Sequence, residues 1–521
     1  MGSPELLIVL RRDQPTPLQQ QVCDQFIALV RAGRLRPGDA VPASRELARQ
    51  LDVSRTVIIK AYELLTANGY LTARRGSGTQ VAGPESRRDA SPVAADGDTA
   101  ASVADKAGRP PNRAPLAPRP PRPTDDGHAL WQPWEPPPVL KRSDPAVIDF
   151  RHGTPALSRF PTARWRQSLE EALAKADDTL LGYGPAEGSL ALRTEIAELV
   201  RRSRALSAPP DRIMITSGAT QALDILVRAI LRPGDVVVIE DPSHTVLRQI
   251  FGFSPAAVVP VAVDEEGLRV ADIDATVRAH GHDPARVRLV YVTPSHQFPS
   301  GCVMTATRRR ALVAWAQERE ATILEDDYHN EYWFSGDRLP ALAADPHRGA
   351  VVYVGSFSKT LFPALRIGYA ILPDRLVQPF LGIKWITDRL TATVEQEALA
   401  DFIATGGYAR HIAKMSGLYR QRRLRLLEAL YEHFGAGVRI SGEAAGLHVL
   451  VAFPGMPGVG EAEFARRAAA CGVLIYPASG YYARNPPAEP TFLMGYAALT
   501  PERITEGIAR LAGVRRQTAP A

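Results

Sequence analysis

The sequence predicts an α/β chain built from two folded units. The first is small and helical and ends in a two-stranded hairpin. The second is much larger, with a mostly parallel sheet and a small C-terminal α/β subdomain. Three observations carry this reading. At 521 residues the chain is too long for one ordinary domain, since domains run near ~150 residues. Residues 84–143 hold 13 of the 44 prolines and few aliphatic residues, so they read as a linker that cannot bury enough apolar surface to offset its ordering entropy. Beyond residue 144, short continuous apolar runs alternate with helical patterns, as in a parallel sheet covered on both faces.

In the first unit, residues 1–83, Leu18 to Gly33 carries an apolar stripe at helical spacing: Leu18, Val22, Phe26, Leu29. Gly38-Asp39 turns the chain. Ser44 is expected to cap a helix running through Leu51, with Arg45 in its first turn. Asp52-Val53 turns it again. Ser54 is expected to cap the next helix, Arg55 to Asn68, which Gly69 ends. Tyr70-Leu71-Thr72 and Gly78-Thr79-Gln80-Val81 flank Ala73-Arg74-Arg75-Gly76-Ser77 and read as a two-stranded wing with a basic tip. Two short helices joined by a tight turn suit a helix-turn-helix, whose second helix enters the DNA major groove. Eleven Lys/Arg against seven Asp/Glu in this unit favour a phosphate backbone.

Leu130-Trp131-Gln132-Pro133-Trp134 is expected to anchor the end of the linker on the large unit, residues 144–521. There, Ile213–Thr216, Val236–Glu240, Val287–Val292, Ala321–Glu325 and Val351–Gly355 read as buried strands, and Gln221–Leu231 as an amphipathic helix ended by Pro233-Gly234-Asp235. The tail from Val438, with Gly446-Leu447-His448-Val449-Leu450-Val451, reads as the smaller subdomain.

Composition excludes several classes. Hydrophobic content of 45% and charged content of 23% are ordinary for a globular protein. No run reaches the ~18 apolar residues of a membrane helix, and no secretory leader is expected from Met1-Gly2-Ser3-Pro4-Glu5. Three widely spaced cysteines form no metal or disulfide pattern. The expected location is the cytoplasm.

The chemistry concentrates around Lys359, in Gly355-Ser356-Phe357-Ser358-Lys359. A lysine after small hydroxyl residues, between an apolar strand and Leu361-Phe362-Pro363-Ala364-Leu365-Arg366, is what a pyridoxal phosphate (PLP) Schiff base needs. Ser356, Ser358 and Arg366 would hold the phosphate. Gly218, Ala219 and Thr220, between a strand and a helix start, would present backbone N–H groups to it. In Glu325-Asp326-Asp327-Tyr328, strand alternation puts Asp326 and Tyr328 on one side. Asp326 would pair with the pyridinium nitrogen and Tyr328 with the ring's phenolic oxygen, with Asp327 as the rival for the nitrogen.

Residues 33–48, Val53-Ser54-Arg55-Thr56-Val57, Ala61-Tyr62 and Arg75-Gly76-Ser77-Gly78-Thr79 closely resemble the GntR-type winged helix. That resemblance implies DNA contacts from Arg45, Ser54, Arg55 and Thr56, with Arg74 and Arg75 at the wing. Residues 144–521 resemble fold-type I aminotransferases, through Tyr183-Gly184-Pro185-Ala186-Glu187-Gly188, Ser217-Gly218-Ala219-Thr220-Gln221, Glu240-Asp241-Pro242, the run from Thr293 to Gly301, Glu325–Tyr328 and Ser356–Lys359 with Arg366. Together the two parts resemble the MocR/GabR family of PLP-dependent transcription regulators. The resemblance implies a homodimer on operator DNA, with Tyr183 reaching the phosphate in the second subunit.

Two positions depart from the family's pattern. His244 stands where an aromatic residue, commonly tyrosine, stacks on the cofactor ring. Ala498, in Gly495-Tyr496-Ala497-Ala498-Leu499, stands where an arginine forks onto a substrate carboxylate. Arg248, Arg484 and His296 are candidate substitutes. The expected function is a PLP-dependent regulator that senses PLP or a small amino compound. The rivals are an active aminotransferase with a DNA-binding head, and a regulator without cofactor.

Overall fold

Val22 and Phe26, from the apolar stripe of the first helix, are fully buried against Ile58 and Leu65 and close the core of the N-terminal unit. This unit comprises α1 (Leu18–Arg31), α2 (Ser44–Gln50), α3 (Arg55–Ala67), β1 (Leu71–Arg74) and β2 (Gly78–Val81). The computed structural model describes residues 8, 10, 16–31, 35, 37–51, 53–74, 78–82, 146–328, 331–336, 338–344, 351–454 and 460–518. It separates two units with a division near Pro120. The expected linker and its Leu130–Trp134 anchor lie outside the described residues, as does Arg75.

On α3, Ile58, Ala61, Tyr62 and Leu65 are buried at helical spacing. Tyr62 Oη donates to Pro42 O at 2.7 Å and ties α3 to the segment before α2. β1 and β2 pair antiparallel, with Arg74 opposite Gly78 at the turn end. One expectation fails: Ala43, not Ser44, is the N-cap of α2, and Ser44 is already helical. Ser54 does sit at the N-cap of α3, but its hydroxyl makes no capping bond.

The large unit continues with β3 (Ile148–Asp149), α4 (Thr162–Ala174), α5 (Asp178–Leu181), α6 (Leu190–Arg204), β4 (Ile213–Thr216), α7 (Ala219–Ile230), β5 (Val236–Asp241), α8 (Thr245–Gly252), β6 (Ala257–Asp264), β7 (Gly267–Leu268), α9 (Ile273–Ala279), β8 (Val287–Val292), α10 (Ala306–Glu318), β9 (Thr322–Asp327), β10 (Val351–Ser356) and β11 (Gly368–Ile371). After these come α11 (Asp374–Thr387), α12 (Thr393–Ala404) and α13 (Gly407–Phe434), then β12 (Arg439–Ser441), β13 (His448–Ala452), α14 (Glu461–Ala470), β14 (Val473–Leu474), β15 (Tyr476–Pro477), β16 (Thr491–Gly495) and α15 (Pro501–Thr518).

The main sheet has the order β4-β11-β10-β9-β8-β5-β6-β7. Its centre, from β10 to β6, is parallel, while β11 runs antiparallel to both of its neighbours. Successive residues alternate between two cores. Ile323 and Tyr353 pack with Leu192, Ile196 and Val200 of α6 on one face. Leu324 and Val354 pack with Leu223 and Leu226 of α7 and Phe380 of α11 on the other. Helices on both faces explain why these strands read as unbroken apolar runs.

The smaller subdomain is the antiparallel sheet β12-β13-β16-β15, packed on α13 and α15 around Phe150, Tyr419, Val449, Phe492 and Ile504. It also recruits β3, which pairs with β14 through Ile148 and Val473. Sequence reasoning starts this subdomain at Val438 and misses that contribution. A two-residue strand carries no periodicity to detect.

On the α6 face, Asp327 is buried and accepts from Arg204 Nε and Tyr353 Oη, both at 2.6 Å. The Arg204 and Asp327 side chains are each 2% exposed. Arg204→Met strips the partner from buried Asp327 and from the less buried Glu331, which Arg204 also reaches at 3.4 Å, and is expected to cost the large unit about 3–5 kcal/mol, whereas adding Asp327→Leu removes the more deeply buried carboxylate and recovers part of the loss. Denaturant unfolding of both variants checks this. A loss below ~1 kcal/mol in the single variant contradicts the assignment.

Candidate functional site

The C-terminal ends of the parallel strands converge on one cavity of about 220 Å³. This is where open α/β sheets bind ligands. Ala219, Thr220, His244, Asp326, Tyr328, Ser356, Ser358, Lys359 and Arg366 all line it. Residues far apart in the chain thus meet as expected.

β9 and β10 lie side by side in parallel register, with Val354 opposite Asp326. Asp326 leaves the end of β9 toward the cavity, and the chain beyond β10 delivers Lys359. Asp327, the rival, points through the sheet to Arg204, so the alternation decides between them. Asp326 Oδ2 accepts from Tyr291 Oη at 2.7 Å, while its Oδ1 is buried without a hydrogen-bond partner among the described residues. Burial pushes the Asp326 carboxyl up to about 6, against the lowering effect of Tyr291.

Lys359 Nζ donates to Gly153 O at 2.8 Å. Burial and the nearby Arg366 guanidinium lower its pKa below that of an ordinary lysine, which favours the nucleophilic amine. Arg366 occupies a left-handed backbone conformation, φ 52°, and its Nη2 donates to Ser217 O at 2.8 Å. Gly218, at the N-cap of α7 with φ 94°, lies so close that a Cβ there would sit 2.7 Å from Arg366 Nη2. Only glycine suits both the dihedral and the approach.

Tyr328 Oη donates to His296 O at 2.9 Å. The His244 ring sits 4.9 Å from Phe298. Phe298 in turn contacts His152, His448 and Tyr481. Burial holds His152, His244 and His296 near about 4, so this wall is neutral at physiological pH. The cation candidates for a carboxylate partner fare unequally. Arg248 is spent on the carbonyls of Tyr482 and Gly480, and His296 is fully buried beside Tyr328. Arg484 is exposed, as is Ala498.

Tyr183 is not brought to the cavity of its own chain. It is 82% exposed, with Arg389 over its ring at 5.7 Å. In the N-terminal unit, Arg45, Ser54, Arg55 and Thr56 are all exposed on α2, α3 and the turn before α3. Arg74 ends β1. Sequence reasoning missed Tyr291, Gly153, Phe298 and His152. An aromatic inside Val290-Tyr291-Val292 reads as plain core, Phe298 lies in the quoted run from Thr293 to Gly301 without a role of its own being read there, and Gly153 and His152 carry no local motif.

The residues fit PLP. A buried amine faces a carboxylate oxygen that lacks a donor, and beside them a guanidinium and a glycine-started helix form a cradle for an anion. The chain matches the family description "Aminotransferase class I and II" over residues 145–511 and "Bacterial regulatory proteins, gntR family" over 18–81. It is 32% identical over 505 residues to the probable rhizopine catabolism regulatory protein MocR of Rhizobium meliloti, covering 97% of this chain and 95% of that protein. It is 32% identical over 420 residues to the pyridoxine biosynthesis transcriptional regulator PdxR of Corynebacterium glutamicum, covering 80% of each. A solved kynurenine aminotransferase of Pyrococcus horikoshii aligns with TM-score 0.66 and 30% identity, over 72% of this chain and 92% of that one. The chain belongs to the MocR/GabR family of PLP-dependent transcription regulators, a GntR-type winged helix joined to a fold-type I aminotransferase-like unit.

Proposed function

We propose that this regulator acts in the cytoplasm as a homodimer on operator DNA, carries PLP on Lys359, and responds to PLP supply itself. The observation that carries the reading is a mismatch. Lys359, Asp326, Tyr328 and Arg366 meet in one cavity whose described lining holds no arginine besides Arg366, and the family resemblance puts the missing carboxylate arginine at Ala498, which is exposed and outside that lining. Losing a bidentate, charge-assisted partner weakens and misorients an amino acid but leaves the cofactor's own contacts intact. Likeness to a pyridoxine biosynthesis regulator supports the same reading. The second reading, an active aminotransferase with a DNA-binding head, draws on the intact Lys359 site and on likeness to an enzyme.

When bound, PLP supplies an electron-withdrawing ring. The chain's residues then divide the work. Lys359 Nζ attaches the cofactor. Asp326, held by Tyr291, keeps the ring nitrogen protonated. Tyr328 would hydrogen-bond the ring oxygen and His244 would stack on the ring. Arg366, Ser356, Ser358 and the N–H groups from Gly218 to Thr220 would hold the phosphate. Tyr183, exposed on its own chain, completes the phosphate site of the second subunit. On DNA, Arg45, Ser54, Arg55 and Thr56 face the groove, and Arg74 and Arg75 the backbone beside it.

Borohydride reduction of PLP-loaded protein is expected to fix an adduct at Lys359 that Lys359→Ala abolishes; an adduct at another lysine excludes the assignment. Arg366→Gln removes a cation that helps depress the Lys359 pKa. The amine then keeps its proton to higher pH, so the pH midpoint of cofactor attachment should move upward, as read from absorbance titration.

For the N-terminal unit, Arg45→Ala and Arg55→Ala are expected to weaken operator binding. Removing a cation that neutralises one phosphate should reduce the salt slope by about one unit. Parental affinity in both variants rejects the docking.

Operator affinity of the apo chain, the PLP-loaded chain, and the PLP-loaded chain with a panel of amino acids tests the signal. PLP alone should shift affinity, and the loaded protein should sediment as a dimer at micromolar concentration. If PLP alone changes nothing and one amino acid shifts both the absorbance spectrum and the operator affinity, the PLP-supply reading is wrong and the signal is a small amino compound.

A further inference from the structure

A second cavity, of about 340 Å³, opens between the start of α4 and the start of α13 and is separate from the Lys359 cavity. Its lining includes four cationic side chains, Arg159, Arg164, Arg410 and Lys414, and the described lining residues include no Asp or Glu. Arg159, Arg410 and Lys414 are exposed. Asp401, just behind the wall, accepts from Arg164 Nη2 at 2.9 Å and from Ser168 Oγ at 2.7 Å, so its charge is already matched. Arg164 Nη1 remains buried without a hydrogen-bond partner among the described residues. Arg410 Nη2 reaches only a backbone carbonyl, Thr405 O, at 3.0 Å.

The cavity's other walls suit an anion as well. α13 is 28 residues long, has no acidic residue in its first turn, and starts at Gly406 with no side-chain cap. Its positive end therefore opens beside the cations. His411 lies at the base, where its Nε2–H donates to Thr360 O at 3.0 Å, and burial keeps its ring neutral. With Arg164 paired to Asp401, the charges of Arg159, Arg410 and Lys414 have no ion-pair partner among the described residues; gathered around a concave surface they repel one another, and an entering anion relieves that repulsion.

We propose that this cavity is a binding site for a phosphate group, held by Arg159, Arg164, Arg410 and Lys414. Guanidinium and ammonium donors around one hollow match the several acceptor oxygens and the charge of phosphate. Two sources share this chemistry. One is a DNA backbone; the other is a free phosphorylated small molecule.

The test uses the PLP-loaded full chain. Calorimetric titration with pyrophosphate is expected to show saturable binding, weakened by about a hundredfold in Arg159→Gln with Lys414→Gln, since each of the two charge-assisted bonds removed is worth about tenfold. Arg410→Gln gives an independent reading at another exposed cation. In parallel, the salt dependence of operator affinity is measured. If DNA is the source, the double variant lowers the slope by about two units; if the slope is unchanged and pyrophosphate binding is abolished, the source is a free phosphate compound. Arg278→Gln with Arg310→Gln, exposed elsewhere on the same unit, removes the same charge and should change neither. The proposal is overturned if neither measurement responds to the cavity variants, or if the control pair responds equally.

Discussion

The Arg204–Asp327 ion pair beneath the main sheet is the interaction on which the site's geometry depends. At the 2.6 Å separation of Arg204 Nε and Asp327 Oδ2, two unit charges attract by about 6 kcal/mol at an effective dielectric near 20. Desolvation costs several kcal/mol per buried ion. The two nearly cancel, so the pair contributes little net stability, whereas its rupture costs much. Its consequence is directional. With Asp327 held on the α6 face by Arg204 and Tyr353, a pleated strand must present Asp326 and Tyr328 to the cavity. A one-residue slip would bury Asp326 under α6 and expose Asp327 to the site.

Around the cavity the charges are sorted. Lys359 and Arg366 supply the cations, Asp326 the carboxylate, and the rest of the lining is aliphatic (Leu223, Val246, Leu247, Ile250), aromatic (Tyr291, Phe298, Tyr328), hydroxyl and neutral imidazole. Burial has opposite pH consequences for the two kinds of group. His152, His244 and His296, lowered to about 4, oppose folding as pH falls from 6.5 toward 4, because the unfolded chain takes up protons first. Glu240 and Glu325, raised to about 7, and Asp326, raised to about 6, do the reverse: the folded chain protonates first as pH falls. The two sets act in opposite directions across the same window and so partly offset one another in the unit's stability.

Much of the architecture was legible because its signals are local. Apolar runs bounded by turns located the strands Ile213–Thr216 and Val287–Val292 to the residue, and the stripe from Leu18 to Leu29 located α1. Cap chemistry was less secure. Ser44 and Ala43 differ in propensity by an amount that packing of Leu47 and Ala48 readily outweighs.

By itself the sequence determined the two kinds of unit, the Lys359 motif, the Asp326–Tyr328 pairing by alternation, and the absence of arginine at 498. Each is a matter of neighbouring residues or of a period. Tertiary structure alone decided what completes them. Tyr291 meets Asp326 from 35 residues away, Arg204 meets Asp327 from 123, and Gly153 meets Lys359 from 206. It also drew β3 into the C-terminal subdomain and spent Arg248 on backbone carbonyls. These partners are chosen by the order in which strands assemble in the sheet, and no local propensity or spacing encodes which distant side chain will satisfy a buried charge.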